Sequence, residues 1–396
     1  MPHLSTRGAI LAIPFLAACS ALGQATAPAP TPAPAPAATA PDAQAPAAPA
    51  AAAAPAAPTW SIGGIDFSGT IDGYYNWNDN HPIDKLNQYY NFDVQANQFS
   101  LNMAVLTLNH DPDPIGFHLD FGYGKAFQII HSSTEERDPS AFQYIEQAYV
   151  SLKPPKAKGF EADFGEFYTS AGAETVYGKD NWNYSRSLLF ALAVPYYHFG
   201  LRTSMPLTKT MTGGFQLVNG WNNIEDNNSG KTMGFTYAWT KPKYTWNVNY
   251  YTGPEKDDTN QGWRNLIDTT LLLTPNGKFN AYLNYDYAQE RARDNTLDHY
   301  QGFAGAVHYQ ATSAWSISGR GEYFNDPQGF STGIPQTLDE FTITGEYKWV
   351  EGLLARAEYR IDHSDQPVYT RGTKPFADHN QNTLTFGVIG FFGPKR

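Results

Sequence analysis

The sequence predicts an all-β protein, a transmembrane antiparallel β-barrel of about sixteen strands preceded by a signal peptide and a disordered Ala/Pro-rich segment. Three observations predict it. Apolar and polar residues alternate one by one in segment after segment, the segments have the length that a tilted membrane strand needs, and the connections alternate between short and long. In the first segment, 65–77, Ile65, Phe67, Ile71, Tyr75 and Trp77 share one face with Gly69 and Gly73. Asp66, Ser68, Thr70, Asp72, Tyr74 and Asn76 share the other. Side chains of a strand point alternately to opposite faces, so such a sheet meets something oily on one side and something wet on the other.

Taken in chain order, the first element is an address. Arg7 supplies a positive start and 8–18 an apolar stretch too short to span a bilayer, the pattern of a secretory signal over 1–25. Leu16-Ala17-Ala18-Cys19 resembles the lipobox of bacterial lipoproteins, which makes Cys19 a candidate for lipidation; the other reading is ordinary cleavage after Gly23 or Ala25. Cys19 is the single cysteine, so an internal disulfide is excluded. From 26 to 58 the chain is almost only Ala and Pro, with few side chains able to build a core, and reads as a disordered linker.

The barrel is expected over 60–396. Its strands fall at 65–77, 98–109, 115–124, 141–152, 159–168, 196–205, 211–221, 231–241, 243–252, 264–274, 279–289, 300–310, 315–325, 338–348, 353–363 and 381–392. Each is close to the roughly 9–11 residues of a tilted spanning strand. Short connections such as Asp111 to Pro114, Lys241-Pro242-Lys243 and the TPNGK turn alternate strictly with long ones at 78–97, 125–140, 169–195, 222–230, 253–263, 290–299, 326–337 and 364–380. Short periplasmic turns and long outer loops are the plan of a bacterial barrel, whereas a soluble sandwich has no reason to alternate so regularly. Segments 98–109 and 264–274 carry apolar residues on both faces, which leaves their register open by one residue.

Charge identifies the wet face. Ser316, Ser318, Arg320 and Glu322 lie on one face of their strand; Thr342, Thr344, Glu346 and Lys348, and Arg356, Glu358, Arg360 and Asp362, do the same in theirs. An Arg or Lys facing lipid at the midplane costs about 2–4 kcal/mol, so these residues, with Arg202, are candidates for the lumen lining. The other reading is that Arg356, Glu358 and Arg360 pair with one another. A mean hydropathy of −0.46 fits a chain in which every second strand residue faces water, and 15% aromatic residues fit two interfacial girdles. The net charge of −11 argues against a nucleic-acid partner, which would want a basic stripe.

The segment from Asp163 to Arg202 resembles the signature region of the OmpL-like bacterial beta-barrel porin family, and more distantly the phosphate-selective porins. The matching pieces are Gly165-Glu166-Phe167, Gly172, Glu174, Ser185-Arg186-Ser187, Pro195, and His198 with Gly200; Asn219-Gly220-Trp221 and Asp226-Asn227-Asn228 extend the likeness. The resemblance implies passive diffusion of small hydrophilic solutes or ions across the bacterial outer membrane. It also implies that the longest loop, 169–195, folds inward as a constriction carrying Glu174, Lys179, Asp180 and Arg186. One departure is at the end of the chain: outer-membrane barrels commonly finish on an aromatic, whereas Phe391 and Phe392 are followed by Gly393-Pro394-Lys395-Arg396.

Enzymatic chemistry is not expected. His110, His118, His131, His198, His299, His308, His363 and His379 lack the spacing of a metal site, and no nucleophile elbow or phosphate loop is present. The expected partners are outer-membrane lipid, small hydrophilic solutes and further copies of the chain in a homo-oligomer such as a trimer, with no cofactor. A second function stays open, that of a non-conducting barrel serving as a surface anchor or binding protein.

Overall fold

A computed structural model describes residues 60–131 and 143–394. The signal over 1–25, the linker over 26–58 and Cys19 lie outside the described residues. Sixteen long strands form one sheet that closes on itself, and a two-residue strand, Ser61–Ile62, folds back on the first of them. They are β1 (Ile65–Asn78), β2 (Gln98–His110), β3 (Ile115–Tyr123), β4 (Ile145–Leu152), β5 (Glu161–Tyr168), β6 (Tyr197–Pro206), β7 (Met211–Val218) and β8 (Thr232–Lys241). The second half holds β9 (Tyr244–Gly253), β10 (Arg264–Leu273), β11 (Phe279–Arg291), β12 (Leu297–Gln310), β13 (Trp315–Asp326), β14 (Gln336–Val350), β15 (Leu353–Ser364) and β16 (Asn380–Phe392). Every strand is antiparallel to its neighbour, and β16 returns to β1 with Leu384 opposite Trp77 and Phe386 opposite Tyr75. Closure leaves no unpaired edge, so the backbone polar groups at membrane depth are satisfied within the wall.

The alternation sorts residues as the sequence requires. In β1, Thr70, Asp72, Tyr74, Asn76 and Asn78 are buried inside, while Ile71 and Trp77 are exposed outside. In β11, Leu283 and Tyr285 face outward and Tyr282, Asn284 and Asp286 inward. Several strands are longer than expected, with β14 running from Gln336 to Val350 and β12 starting at Leu297. Strand β7 stops at Val218 instead of reaching 221, because Asn219 turns to bond the Ile224 carbonyl and the Trp221 amide donates to Glu255. A small hairpin, Tyr369–Arg371 with Lys374–Asp378, stands in the β15–β16 connection.

A β-bulge explains the first of the two strands whose faces were ambiguous, 98–109. Asp72 pairs with Met103 and Gly73 with Leu101, so Asn102 is the extra residue in β2 and the inward parity switches there. Before it Phe99 and Leu101 face outward; after it Met103 and Val105 face inward. A second bulge, at Glu146, separates the pairs Asp120–Gln147 and Phe121–Ile145. In β10 the apolar inward residue Leu266 belongs to a hydrophobic cluster that fills part of the barrel interior. That cluster is shared between wall and loops: the connections contribute Phe92 from β1–β2, Phe127 and Ile130 from helix α1 (Lys125–Ile130), and Val176, Leu188, Leu189 and Phe190 from β5–β6.

Candidate functional site

The β5–β6 connection, 169–196, lies inside the barrel against the wall formed by β13, β14, β15, β16 and β1. Its path is fixed by wall arginines that donate to loop carbonyls and wall carboxylates that accept from loop amides. Arg356 reaches the carbonyls of Gly178 at 2.7 Å, Asn181 at 2.6 Å and Asn183 at 3.1 Å. Arg320 donates to the Ser185 carbonyl at 2.8 Å and Arg360 to that of Arg186 at 2.7 Å. Glu358 accepts from the amides of Tyr184 and Ser185, and Glu322 from those of Leu188 and Leu189 at the start of the short helix α2 (Leu188–Leu192). Ser187 caps that helix, its hydroxyl accepting from the Phe190 amide. Charge-assisted bonds of this kind are stronger than neutral ones, and their density here defines a single loop path.

Both bulges aim a carboxylate at the loop. Asn102, the extra residue of β2, donates to Asp72 Oδ2 at 2.9 Å, and Asp72 Oδ1 accepts from the Tyr184 hydroxyl at 2.5 Å. Next to the second bulge, Gln147 donates to Asp120 at 2.8 Å, and Asp120 also accepts from the hydroxyls of Thr107 and Tyr177. The Tyr184 ring rests on Gly387 of β16, where an added Cβ would come within 2.2 Å of the ring. Only a glycine leaves room for that approach.

Of the residues assigned to the constriction, Glu174 and Arg186 are buried and Lys179 and Asp180 remain accessible. Glu174 is held by Arg320 at 2.7 Å and by the Ser187 amide at 2.6 Å. Arg186, only 2% exposed, gives its guanidinium to the carbonyls of Thr175, Tyr184 and Val176 and lies 4.6 Å from the Phe92 ring centroid. It therefore fastens the loop to itself and does not border the open space. Lys179 and Asp180 pair with each other at 2.7 Å.

The wall residues point inward, but most are covered by the loop. Arg320 is paired with Glu322 and Glu340 in addition to Glu174; Arg356 pairs with Glu346 and Arg360 with Asp362. Arg356, Glu358 and Arg360 thus do not pair with one another: Arg356 meets Glu346 on β14, Glu358 meets the loop amides, and Arg360 meets Asp362 on its own strand. Arg202 bonds Asp163 at 2.8 Å and lies over Phe167, and Lys348 sits at the turn end of β14, bonded to Glu351.

A second loop, unforeseen from the sequence, also descends inside. In the β1–β2 connection Phe92 is fully buried, Tyr90 bonds Thr383 and covers Arg360 at 4.1 Å, and the Gln95 amide donates to the Tyr74 hydroxyl. The signal was the aromatic run Tyr89-Tyr90-Asn91-Phe92 within a long polar connection. Opposite the loop, a cavity of about 230 Å³ remains between its tip and the β9–β11 wall. Glu174, Asp180, Asn181 and Trp182 border it from the loop, Asn247, Thr270 and Tyr282 from the wall, and no Lys or Arg lines it.

A closed sixteen-strand barrel with apolar residues outside and a polar, loop-lined interior defines the class of outer-membrane β-barrel channels. The chain belongs to the family described as "Putative beta-barrel porin-2, OmpL-like", whose profile matches residues 64–392. It is an outer-membrane porin by that membership. Among solved structures it resembles the outer membrane channel DcaP of Acinetobacter baumannii, with a TM-score of 0.56 at 10% identity over 83% of this chain and 97% of that one. It also resembles the anion-selective porin from Comamonas acidovorans, with a TM-score of 0.55 at 9% identity over 83% and 99%. OmpT of Vibrio cholerae in its trimer form gives 0.55 at 12% over 83% and 99%. No curated protein sequence matches.

Proposed function

We propose that the protein lets small hydrophilic solutes diffuse passively across the outer membrane, through the space left between the β5–β6 loop and the β9–β11 wall, and that it favours neutral and cationic solutes over anions. One observation carries the preference: the accessible carboxylate of Asp180 borders the cavity and no Lys or Arg lines it, while the lumen arginines are turned into the loop. Fixed charge at a narrow point sets a local field, and cavity width sets the size limit. The uncharged remainder of the wall, Asn247 and Thr270, offers both donors and acceptors to a hydrated solute. Planar-bilayer recording of the purified protein tests this reading. Ohmic conductance with a reversal potential favouring cations in a salt gradient is expected; anion preference would remove the charge argument.

The inward packing of two loops supports a second reading, a non-conducting anchor or binding barrel. The same recording separates the two, since a plugged barrel passes no current. Assembly as a homo-oligomer, a trimer, belongs to the proposal as well, and the trimer form of the Vibrio cholerae neighbour supports it.

A further inference from the structure

The outer wall of β8–β12 differs from a uniformly convex lipid-facing surface. Trp239, Tyr244 and Trp246 stand on one side and Leu283, Tyr285 and Phe303 on the other of a hollow of about 600 Å³ with Thr269, Leu271 and Leu273 between them. The register explains the shape: Trp246 lies opposite Trp239 on β8 and Leu271 on β10, and Leu283 lies opposite Gly305, so large rings flank smaller residues. Trp246 is fixed by its Nε1 donating to the Thr269 hydroxyl at 2.8 Å. The lining is almost wholly apolar and opens outward.

At the short-turn end, which in such barrels faces the periplasm, the same strands carry lysines. Lys209 lies in the β6–β7 turn, Lys241 and Lys243 flank Pro242 between β8 and β9, and Lys278 precedes β11. These turns are neighbours, because the Thr240 amide donates to the Thr210 carbonyl and the Thr274 amide to the Lys243 carbonyl. Lys241 Nζ stands 5.6 Å from the Trp239 ring centroid, at the mouth of the hollow. No Asp or Glu occurs in 203–224, 227–254, 269–285 or 299–321, so this arc of the rim carries positive charge with no carboxylate on its own turns.

We propose that the hollow and its rim bind one anionic phospholipid of the inner leaflet, with an acyl chain along Leu271 and Leu283 between the aromatic flanks and the phosphate against Lys241, Lys243 and Lys278. Charge complementarity selects the occupant. A lysine near the membrane surface favours anionic over neutral lipid by on the order of five-fold, and three act on one headgroup here. A lysine at such a rim lays its stem along apolar surface while its ammonium group reaches the headgroup level, as Lys241 does beside Trp239.

The test is native mass spectrometry of the full chain in neutral detergent, with phosphatidylglycerol or phosphatidylethanolamine added in equal amounts. The wild type is expected to retain phosphatidylglycerol in several-fold preference. K241Q/K243Q/K278Q should abolish that preference, whereas K153Q/K156Q/K158Q, the same charge change on the β4–β5 turn, should leave it intact. Leu271→Trp, which fills the hollow without adding polarity, should lower retention with the lysines unchanged. Equal retention of the two lipids, or equal loss in both triple variants, overturns the proposal. So does a change in oligomer mass, in place of lipid retention, with Leu271→Trp and K241Q/K243Q/K278Q, which would make the face an interface between copies. The heat-dependent gel shift of each variant establishes that the barrel is closed.

Discussion

Arg320 Nη1 lies 2.7 Å from Glu174 Oε1, joining the barrel wall to the inward loop across 146 residues of sequence, with both side chains buried. The guanidinium also serves Glu322, Glu340 and the Ser185 carbonyl. A charge held this way is not available to a passing solute, but its loss leaves several acceptors unpaired.

Arg320→Ala should therefore destabilise the loop-in arrangement strongly, since removing one partner of a buried pair costs about 3–5 kcal/mol. Larger and noisier single-channel conductance is expected, together with faster proteolysis within 169–196. Quiet channels of unchanged size would show that Glu174 and the loop are held by other means.

Selectivity should respond at Asp180. Asp180→Lys is expected to move the reversal potential in a salt gradient toward anions with little change in thermal stability, because the residue is accessible and among the described residues its ion pair is with Lys179. Exposed pairs of this kind contribute roughly 0–1 kcal/mol. Arg186→Glu should behave differently: it places a carboxylate against three carbonyls, so the loop loosens and conductance rises. Lys209→Glu, on a turn away from the cavity, should leave both properties nearly unchanged.

The β1–β2 loop should be pH-sensitive through Asp93. Burial raises its carboxyl to about 7, with Glu358 adding to the rise and Arg360 and Arg186 opposing it. Among the described residues its Oδ2 has no hydrogen-bond partner. Since the packed loop binds the proton more tightly than the released one, packing is strongest below the usual carboxylate range and weakens as pH climbs toward 7. Asp93→Asn should flatten that dependence. Hydrogen exchange of 79–97 is expected to slow in the variant more at about pH 8 than at about pH 5; an equal change at both would assign the effect to something other than ionisation.

Ile343 faces outward in the middle of β14, between the inward Thr342 and Thr344. Ile343→Arg should cost roughly 2–4 kcal/mol of folding free energy in the bilayer. A reduced fraction of heat-shifting, closed barrel measures it, and full assembly would place this face away from lipid.

The wall of the barrel was legible because its signal is local. In β1 and β11 each residue declares its face by contrast with its neighbours, and the alternation of short and long connections orders the strands without knowledge of their partners. The bulges at Asn102 and Glu146 were not legible, because an extra residue shows itself only in the pairing of two strands; in sequence it resembles a strand with apolar residues on both faces. The lumen charges were legible as a set. Their partners were not: Arg356 meets Asn181 and Asn183 across more than 170 positions of chain, and nothing near Arg356 in sequence announces it. The descent of Tyr90 and Phe92 was missed for the same reason, since the surface that receives them exists only after the barrel closes.

Arg320, Arg356 and Arg360 grip the inward loop mainly by carbonyl oxygens, and Glu322 and Glu358 grip it by amides. Such a grip is indifferent to which side chains the loop carries, provided the backbone path is kept. The wall acts as a mould and the loop as an insert: the side chains at 179 and 180 can be exchanged without renegotiating the contacts that hold the backbone in place, whereas Trp182 packs on Tyr282 and His308 of the wall. In a scaffold of this kind the lining of the cavity can be changed by a few substitutions on a single segment, which makes it a natural starting point for laboratory evolution of new pores.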